Sequence, residues 1–337
     1  MRFIVFIFIS ITAFHISQSD AATIVKPSIK SSLASKSLLL GITKVSEDKL
    51  IAVGERGHII LSTDGLNWEQ ANVPLQATLT NVYFFNENLG WAVGHDATIL
   101  HTQDGGNNWV VQYNQPALEK PFLDVNFIDS LHGIAIGAYG LVLRTQDGGQ
   151  NWTKEFHHEF LLEDDIAYLE ELKNEDEEAY LDEIAFILPH FNRVIADGRT
   201  LFLLGEVGLV AKSNDFGVSW QKFDEIYQGS FFDLGRTKAG NLLITGLRGH
   251  VFRGIQNGHE WLEVDTNTTA LLNDIVLAED DRIFILGSNG VLLESIDDGK
   301  SFQLRIQEDG KALIAGVWFK GKLIAVSDIG VKIVNLP

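Results

Sequence analysis

The residues here that could do chemistry begin with five aspartates recurring in one short motif. Asp64, Asp104, Asp147, Asp215 and Asp297 each follow a Ser or Thr by two positions and precede an aromatic by four or five. The copies read S-T-D-G-L-N-W at 62–68, T-Q-D-G-G-N-N-W at 102–109, T-Q-D-G-G-Q-N-W at 145–152, S-N-D-F-G-V-S-W at 213–220 and S-I-D-D-G-K-S-F at 295–302. Carboxylates gathered in one pocket would suit acid–base work on a glycoside. The same residue types also build a turn: the Asp accepts from N–H groups of its own loop, glycine takes positive φ, and the aromatic buries between neighbouring sheets. The copies fall in separate repeats and cannot converge on one substrate. Asp64, Trp68, Asp104, Trp109, Asp147, Trp152, Asp215, Trp220 and Asp297 are therefore assigned as structural Asp-box residues, and no catalytic residue is assigned.

A second set is His157, His158 and His190, embedded in a stretch (157–192) with 12 acidic residues and one lysine. Their spacing is not a recognised ligand set, and no EF-hand loop is present. The 337 residues contain no cysteine, which excludes disulfides, thiolate ligands and thiol nucleophiles. No metal or other cofactor is expected. A net charge of −19 repels phosphate backbones, so nucleic acid is not an expected partner.

The motifs are held in a period of about 41 residues. A Gly-x-x-Gly turn or a close variant occupies 54–57, 94–97, 137–140, 205–208, 246–249, 287–290 and 327–330, at spacings of 40, 43, 68, 41, 41 and 40. Each unit holds four short runs rich in β-branched and aromatic residues, separated by turn residues. Seven such units predict an all-β fold: a seven-bladed β-propeller of four-stranded antiparallel blades. The long interval predicts an α-helical hairpin insertion at 157–192. Within it Leu162, Ile166 and Leu169 are spaced for one helical face, as are Leu181, Ile184, Ala185 and Leu188. Asn174 with Glu177 reads as a helix start and Pro189 as a stop. The last unit ends after its third strand, so residues 23–29 are expected to supply the outer strand of the last blade and close the ring. Arg2, an apolar run at 3–14 and the small residues Ser19 and Ala21 predict a signal peptide over 1–21. The mature chain, 22–337, is then an exported single propeller, periplasmic or lumenal, monomeric, with no direct membrane span.

The combination of G-W-A-V-G, a tight turn and T-I-L-H-T-Q-D-G-G-x-x-W, repeated after a leader-like segment, resembles the photosystem II stability/assembly factor family of BNR or Asp-box propellers, some of whose relatives occur in bacteria without photosynthesis. The resemblance covers residues 33–337 apart from the insertion. It implies a non-catalytic scaffold in the thylakoid lumen of a photosynthetic source, holding a membrane-complex subunit during assembly. The family's photosynthetic members carry a basic surface patch, whereas this chain is strongly acidic. Sialidases also carry Asp boxes and give the alternative, a glycoside hydrolase or carbohydrate-binding propeller, but their Arg-Ile-Pro signature does not occur.

Antiparallel blades put the Gly-x-x-Gly turns on the face that carries the connectors between blades, opposite the Asp boxes. Exposed turn residues there are the candidate partner contacts: Arg56, His95, Asp96, Tyr139, Glu206 and Arg248. The expected partner is a protein, a membrane-complex subunit presenting a basic exposed segment to the acidic insertion. Asn81, Asp124, Asp233 and Asp274 share a register near the start of the innermost strands, where they could bind a cation or, more commonly for such residues, satisfy neighbouring backbone N–H groups.

Overall fold

The computed structural model describes residues 26–161 and 163–336. Seven antiparallel sheets follow one another along the chain. Blade 1 is Leu39–Ser46, Lys49–Gly54, Ile59–Ser62 and Glu69–Gln70; blade 2 is Leu79–Phe84, Gly90–Gly94, Thr98–Thr102 and Val110–Tyr113. Blades 3 to 6 begin at Phe122–Phe127, Phe191–Asp197, Phe231–Arg236 and Leu272–Leu277, and blade 7 at Ala315–Phe319. The second strand of a blade is covered on both faces by its neighbours. Every residue of Gly90–Gly94, Gly133–Gly137, Leu242–Gly246 and Ile283–Gly287 is buried, so these strands read as unbroken apolar runs rather than as alternation.

The Gly-x-x-Gly turns repeat for a backbone reason. In six of the seven, the third and fourth residues are both left-handed, as at Arg56 (φ 55°) and Gly57 (φ 68°), where the Glu55 carbonyl accepts from the His58 N–H. That is the primed turn whose twist matches the flanking strands. The fourth position also lies under the connector to the next blade: a Cβ on Gly249 would stand 1.9 Å from the Thr268 carbonyl oxygen.

The innermost strands carry a second repeated device. In blades 1 to 6 the register with the second strand skips one residue near the start, as between Leu79 and Asn81 or Phe231 and Asp233. The bulge brings Asn81, Asp124, Arg193, Asp233 and Asp274 to one level of the ring.

The last blade holds three strands among the described residues, Ala315–Phe319, Lys322–Ser327 and Gly330–Ile333. The expected outer strand is not formed by residues 26–29; residues 23–25 lie outside the described part. Instead the segment runs beside blade 1, where the Ser28 N–H donates to the Val73 carbonyl and the Gln76 amide donates to the Pro27 carbonyl. The Gln70 amide donates to the Ser28 hydroxyl and the Ile29 carbonyl. The outer strand of blade 1 is only Glu69–Gln70, and the side chain of its second residue binds the incoming chain. Ala34–Lys36 then crosses to blade 7, where Ala34 packs with Phe319, Ile324 and Val326. The seam between the last and first blades is thus held by apolar packing.

The insertion forms helices α1 (Glu163–Glu175) and α2 (Glu177–Ile184). The cap between them is Asp176, whose carboxylate accepts from Glu178 N and Ala179 N, not Asn174, which lies within α1. Acids in both first turns suit the positive ends of the helices. The apolar faces differ from the predicted spacing. Leu169 and Leu188 are buried among Phe160, Leu161, Phe191 and Trp220, whereas Ile166 and Leu181 are exposed. The insertion is anchored on blades 3 and 4 through Leu169 of α1 and Leu188 beyond α2, with Tyr180 and Ile184 of α2 half-buried against the same cluster.

Candidate functional site

In all five Asp boxes the aspartate is occupied within its own turn. Asp104 Oδ1 accepts from the Asn107 and Asn108 N–H groups at 3.0 Å each, and Asp64, Asp147, Asp215 and Asp297 repeat the pattern. The preceding hydroxyl links the two sides: Thr102 Oγ1 donates to Asp104 and accepts from Gly106 N. The aromatics reach into the blade, and Trp109 and Trp220 are buried. These bonds favour the ionised form. Burial pushes Asp215 upward, but bonds from the Ser219 hydroxyl and amide and the Ser213 hydroxyl outweigh it and hold the carboxyl at about 2. A depressed folded-state pKa gives stability that is present above the unfolded value and lost as pH falls, here between about pH 4 and pH 2. Thermal denaturation across that range is expected to show a falling Tm. Asp215→Ala should cost about 1 kcal/mol near pH 7 and make the acid slope shallower; an unchanged slope would show that Asp215 does not contribute.

The aligned residues of the inner strands form the hub. Asp124 accepts from Val194 N in the next blade at 2.9 Å, Asp233 from Ile275 N at 2.8 Å, and Asp274 from Gly316 N at 2.8 Å. Asn81 donates to Asp124 at 2.5 Å. The skipped residues add parallel ties: Thr80 donates to the Phe122 carbonyl, Asn192 to that of Phe231 and Asn273 to that of Leu313. Blade 4 places Arg193 where blades 3, 5 and 6 have Asp. Its guanidinium lies 3.2 Å from Asp233, 3.7 Å from Asp124 and 3.8 Å from Asp274. Burial, with Asp233 alongside, pushes Asp274 well above the usual carboxylate range. Asn81, Arg193 and Asp274 border a cavity of about 490 Å³ in the ring's centre. The carboxylates thus bind neighbouring backbone and one arginine. Arg193 was missed because Phe191-Asn192-Arg193 did not match the acidic pattern; aligning it with Phe122-Leu123-Asp124 exposes the substitution.

On the connector face, Arg56 stands on blade 1, His95 and Asp96 on blade 2, and Arg248 on blade 5, all exposed and spread over three blades. Tyr139 and Glu206 meet beside the insertion. Glu206 accepts from His190 N at 3.1 Å, and the His190 ring stands edge-on to Tyr139 at 4.5 Å. They border a groove of about 470 Å³ between the end of the hairpin and the blade 4 turn. His157 and His190 are separated: His157 is buried against Glu159 at 3.0 Å, and His158 packs on Phe156. Among the described residues no group of three His, Cys, Asp or Glu side chains is placed to hold a metal ion.

With the repeats and the hub placed, the relatives can be compared. Residues 60–116, from the third strand of blade 1 past the outer strand of blade 2, match the family model for "Photosynthesis system II assembly factor YCF48". Over this stretch the chain is similar to the Ycf48 family. Photosystem II assembly protein Ycf48 of Thermosynechococcus vestitus is 40% identical over 42 residues, a stretch that is 12% of each chain. The chain therefore matches about an eighth of that relative's length. The Ycf48 likeness in fold extends much further. A solved YCF48 bound to D1 peptide superposes with a TM-score of 0.67 at 17% identity, over 91% of this chain and 95% of that one. YCF48 from Cyanidioschyzon merolae gives 0.66 at 18%, over 90% and 97%. At these identities the superpositions speak for the fold alone.

Proposed function

We propose that this chain is a non-catalytic, exported scaffold that binds a protein partner, a subunit of a membrane complex, through its connector face. The observation that carries this reading is the match of residues 60–116 to the Ycf48 family, one of whose solved members is bound to a D1 peptide. Two features of the molecule are consistent with it. The repeated carboxylates are engaged in their own turns or in the hub, and the insertion concentrates −11 of the net −19 charge on one side of the connector face. A basic exposed segment of the partner complements that side.

The test is cross-linking in the native host followed by affinity purification from its extracytoplasmic fraction, with sialosides and common β-glycosides assayed in parallel. A membrane-complex subunit should be captured reproducibly, and no hydrolysis should exceed the uncatalysed rate. Turnover that disappears on changing one connector-face acid would replace the scaffold by an enzyme. Absence of any membrane-complex subunit from the cross-linked material would defeat the scaffold reading.

A further inference from the structure

We propose that the groove between the end of the helical hairpin and the blade 4 turn seats an extended peptide segment with one aromatic or branched apolar side chain flanked by arginine or lysine. This names the partner's chemistry at the connector face and rests on the scaffold reading.

Four observations converge on the groove. Its floor is apolar, with Phe160 at the base, while its lips hold Phe186 and Val207, 58% and 75% exposed. Large apolar side chains exposed side by side mark contact surfaces more often than a scattered one does. The second observation is charge: Asp165, Glu206 and Glu225 border the groove, and Lys222 is the one lysine or arginine among its lining residues. Glu206 uses one oxygen on His190 N and keeps acceptor capacity for a guanidinium. Third, Phe186 is held in place rather than free to collapse. Tyr139 stands edge-on to it at 5.2 Å, and the Lys120 ammonium lies 4.8 Å from its ring centre. A preformed lip lowers the ordering cost of binding. Fourth, the left-handed third position of these turns holds Arg56, Asp96, Tyr139, Arg248 and Asn289 in other blades, whereas blade 4 puts the exposed, β-branched Val207 there (φ 55°), a residue type that the turn itself disfavours. A volume of about 470 Å³ takes one or two side chains and a short length of backbone, not a helix.

The probe is a fluorescein-labelled peptide, blocked at both ends, with one central phenylalanine between arginines. Two comparison peptides carry alanine for the phenylalanine or glutamate for each arginine. Anisotropy titrations against the whole chain should give saturable binding that weakens with salt, and about tenfold weaker binding for either comparison peptide. Phe186→Ala and the pair Glu206→Gln with Glu225→Gln should each weaken binding about tenfold, the pair also flattening the salt dependence. Val207→Gly should move two readouts in opposite directions, raising Tm by relief of the left-handed valine while weakening the peptide. A purely structural Val207 would change Tm alone.

No saturable binding by the wild-type chain, equal binding of the glutamate peptide, or unchanged affinity in Phe186→Ala overturns the proposal. Its failure is separable from that of the scaffold reading. If Phe186→Ala still captures the native membrane subunit with unchanged affinity, the groove is wrong and the scaffold stands. If the wild-type chain captures no such subunit, the scaffold reading itself fails.

Discussion

Replacing Arg193 by methionine is expected to lower the unfolding free energy by about 3 kcal/mol, because it strands buried carboxylates around a vacated guanidinium. The three partners lie within 3.8 Å, and Asp124, Asp233 and Asp274 are each more than nine-tenths buried. The opposite substitution has the opposite sign. Asp274 is raised well above the ordinary range by burial and by Asp233, so the folded chain binds its proton more tightly than the unfolded chain does. A raised carboxyl pKa means that stability falls as pH climbs above about 4, the unfolded value, and keeps falling until the folded value is passed. Asp274→Asn keeps an oxygen for Gly316 N and removes that penalty. It should therefore be neutral near pH 4 and increasingly stabilising toward pH 8. The double variant Arg193→Met with Asp274→Asn should recover part of the loss. Denaturant unfolding of the four chains at pH 4, 6 and 8 provides the measurement. A loss below about 1 kcal/mol for Arg193→Met would show that channel water, rather than Arg193, compensates the acids.

The second large effect is expected at Gly249, in the turn of blade 5. Gly249→Ala meets two costs: φ of +80°, and a methyl 1.9 Å from the Thr268 carbonyl oxygen. The connector into blade 6 must move, and a loss of about 3 kcal/mol is expected. Gly240 separates the two causes, since it has φ of +87° and nothing within 4 Å of its added Cβ. Gly240→Ala should cost only about 1 kcal/mol, the conformational part. Equal effects at the two glycines would mean that the connector yields freely.

That turn also shows why so much of the architecture was legible. A left-handed position under a passing connector admits almost nothing but glycine, so the geometry is written into residue identity and repeats with the blades. The Asp boxes are legible for the same reason: hydroxyl, carboxylate, glycine and aromatic each fill a fixed place in a local hydrogen-bonded turn. Features decided by distant contacts were not. Residues 26–29 carry no pattern that says which blade they join, and contacts with the Val73 carbonyl and the Gln70 and Gln76 amides of blade 1 decide where they lie. Asn174 and Asp176 are both good caps; the first helix simply continues past Asn174. Ile166 and Leu181 have helical spacing, but they are exposed while Leu169 and Leu188 meet the blades. Of the candidate contacts, Tyr139 and Glu206 are brought to one groove, while its lips, Phe186 and Val207, carry no local pattern that would have marked them.

The hub also bears on how such a ring can be inherited. In an open repeat array each unit touches only its neighbours, so units can be gained or lost one at a time. Here one arginine from blade 4 balances acids from blades 3, 5 and 6, and those acids in turn hold the inner strands of blades 4, 6 and 7. Deleting any of these units leaves an uncompensated charge or an unpaired N–H at the axis, so the loss is felt across the ring rather than at one joint. Copy number is thereby locked by electrostatics as well as by circumference, and duplication or deletion of a single blade should be selected against even where the outer surface would tolerate it.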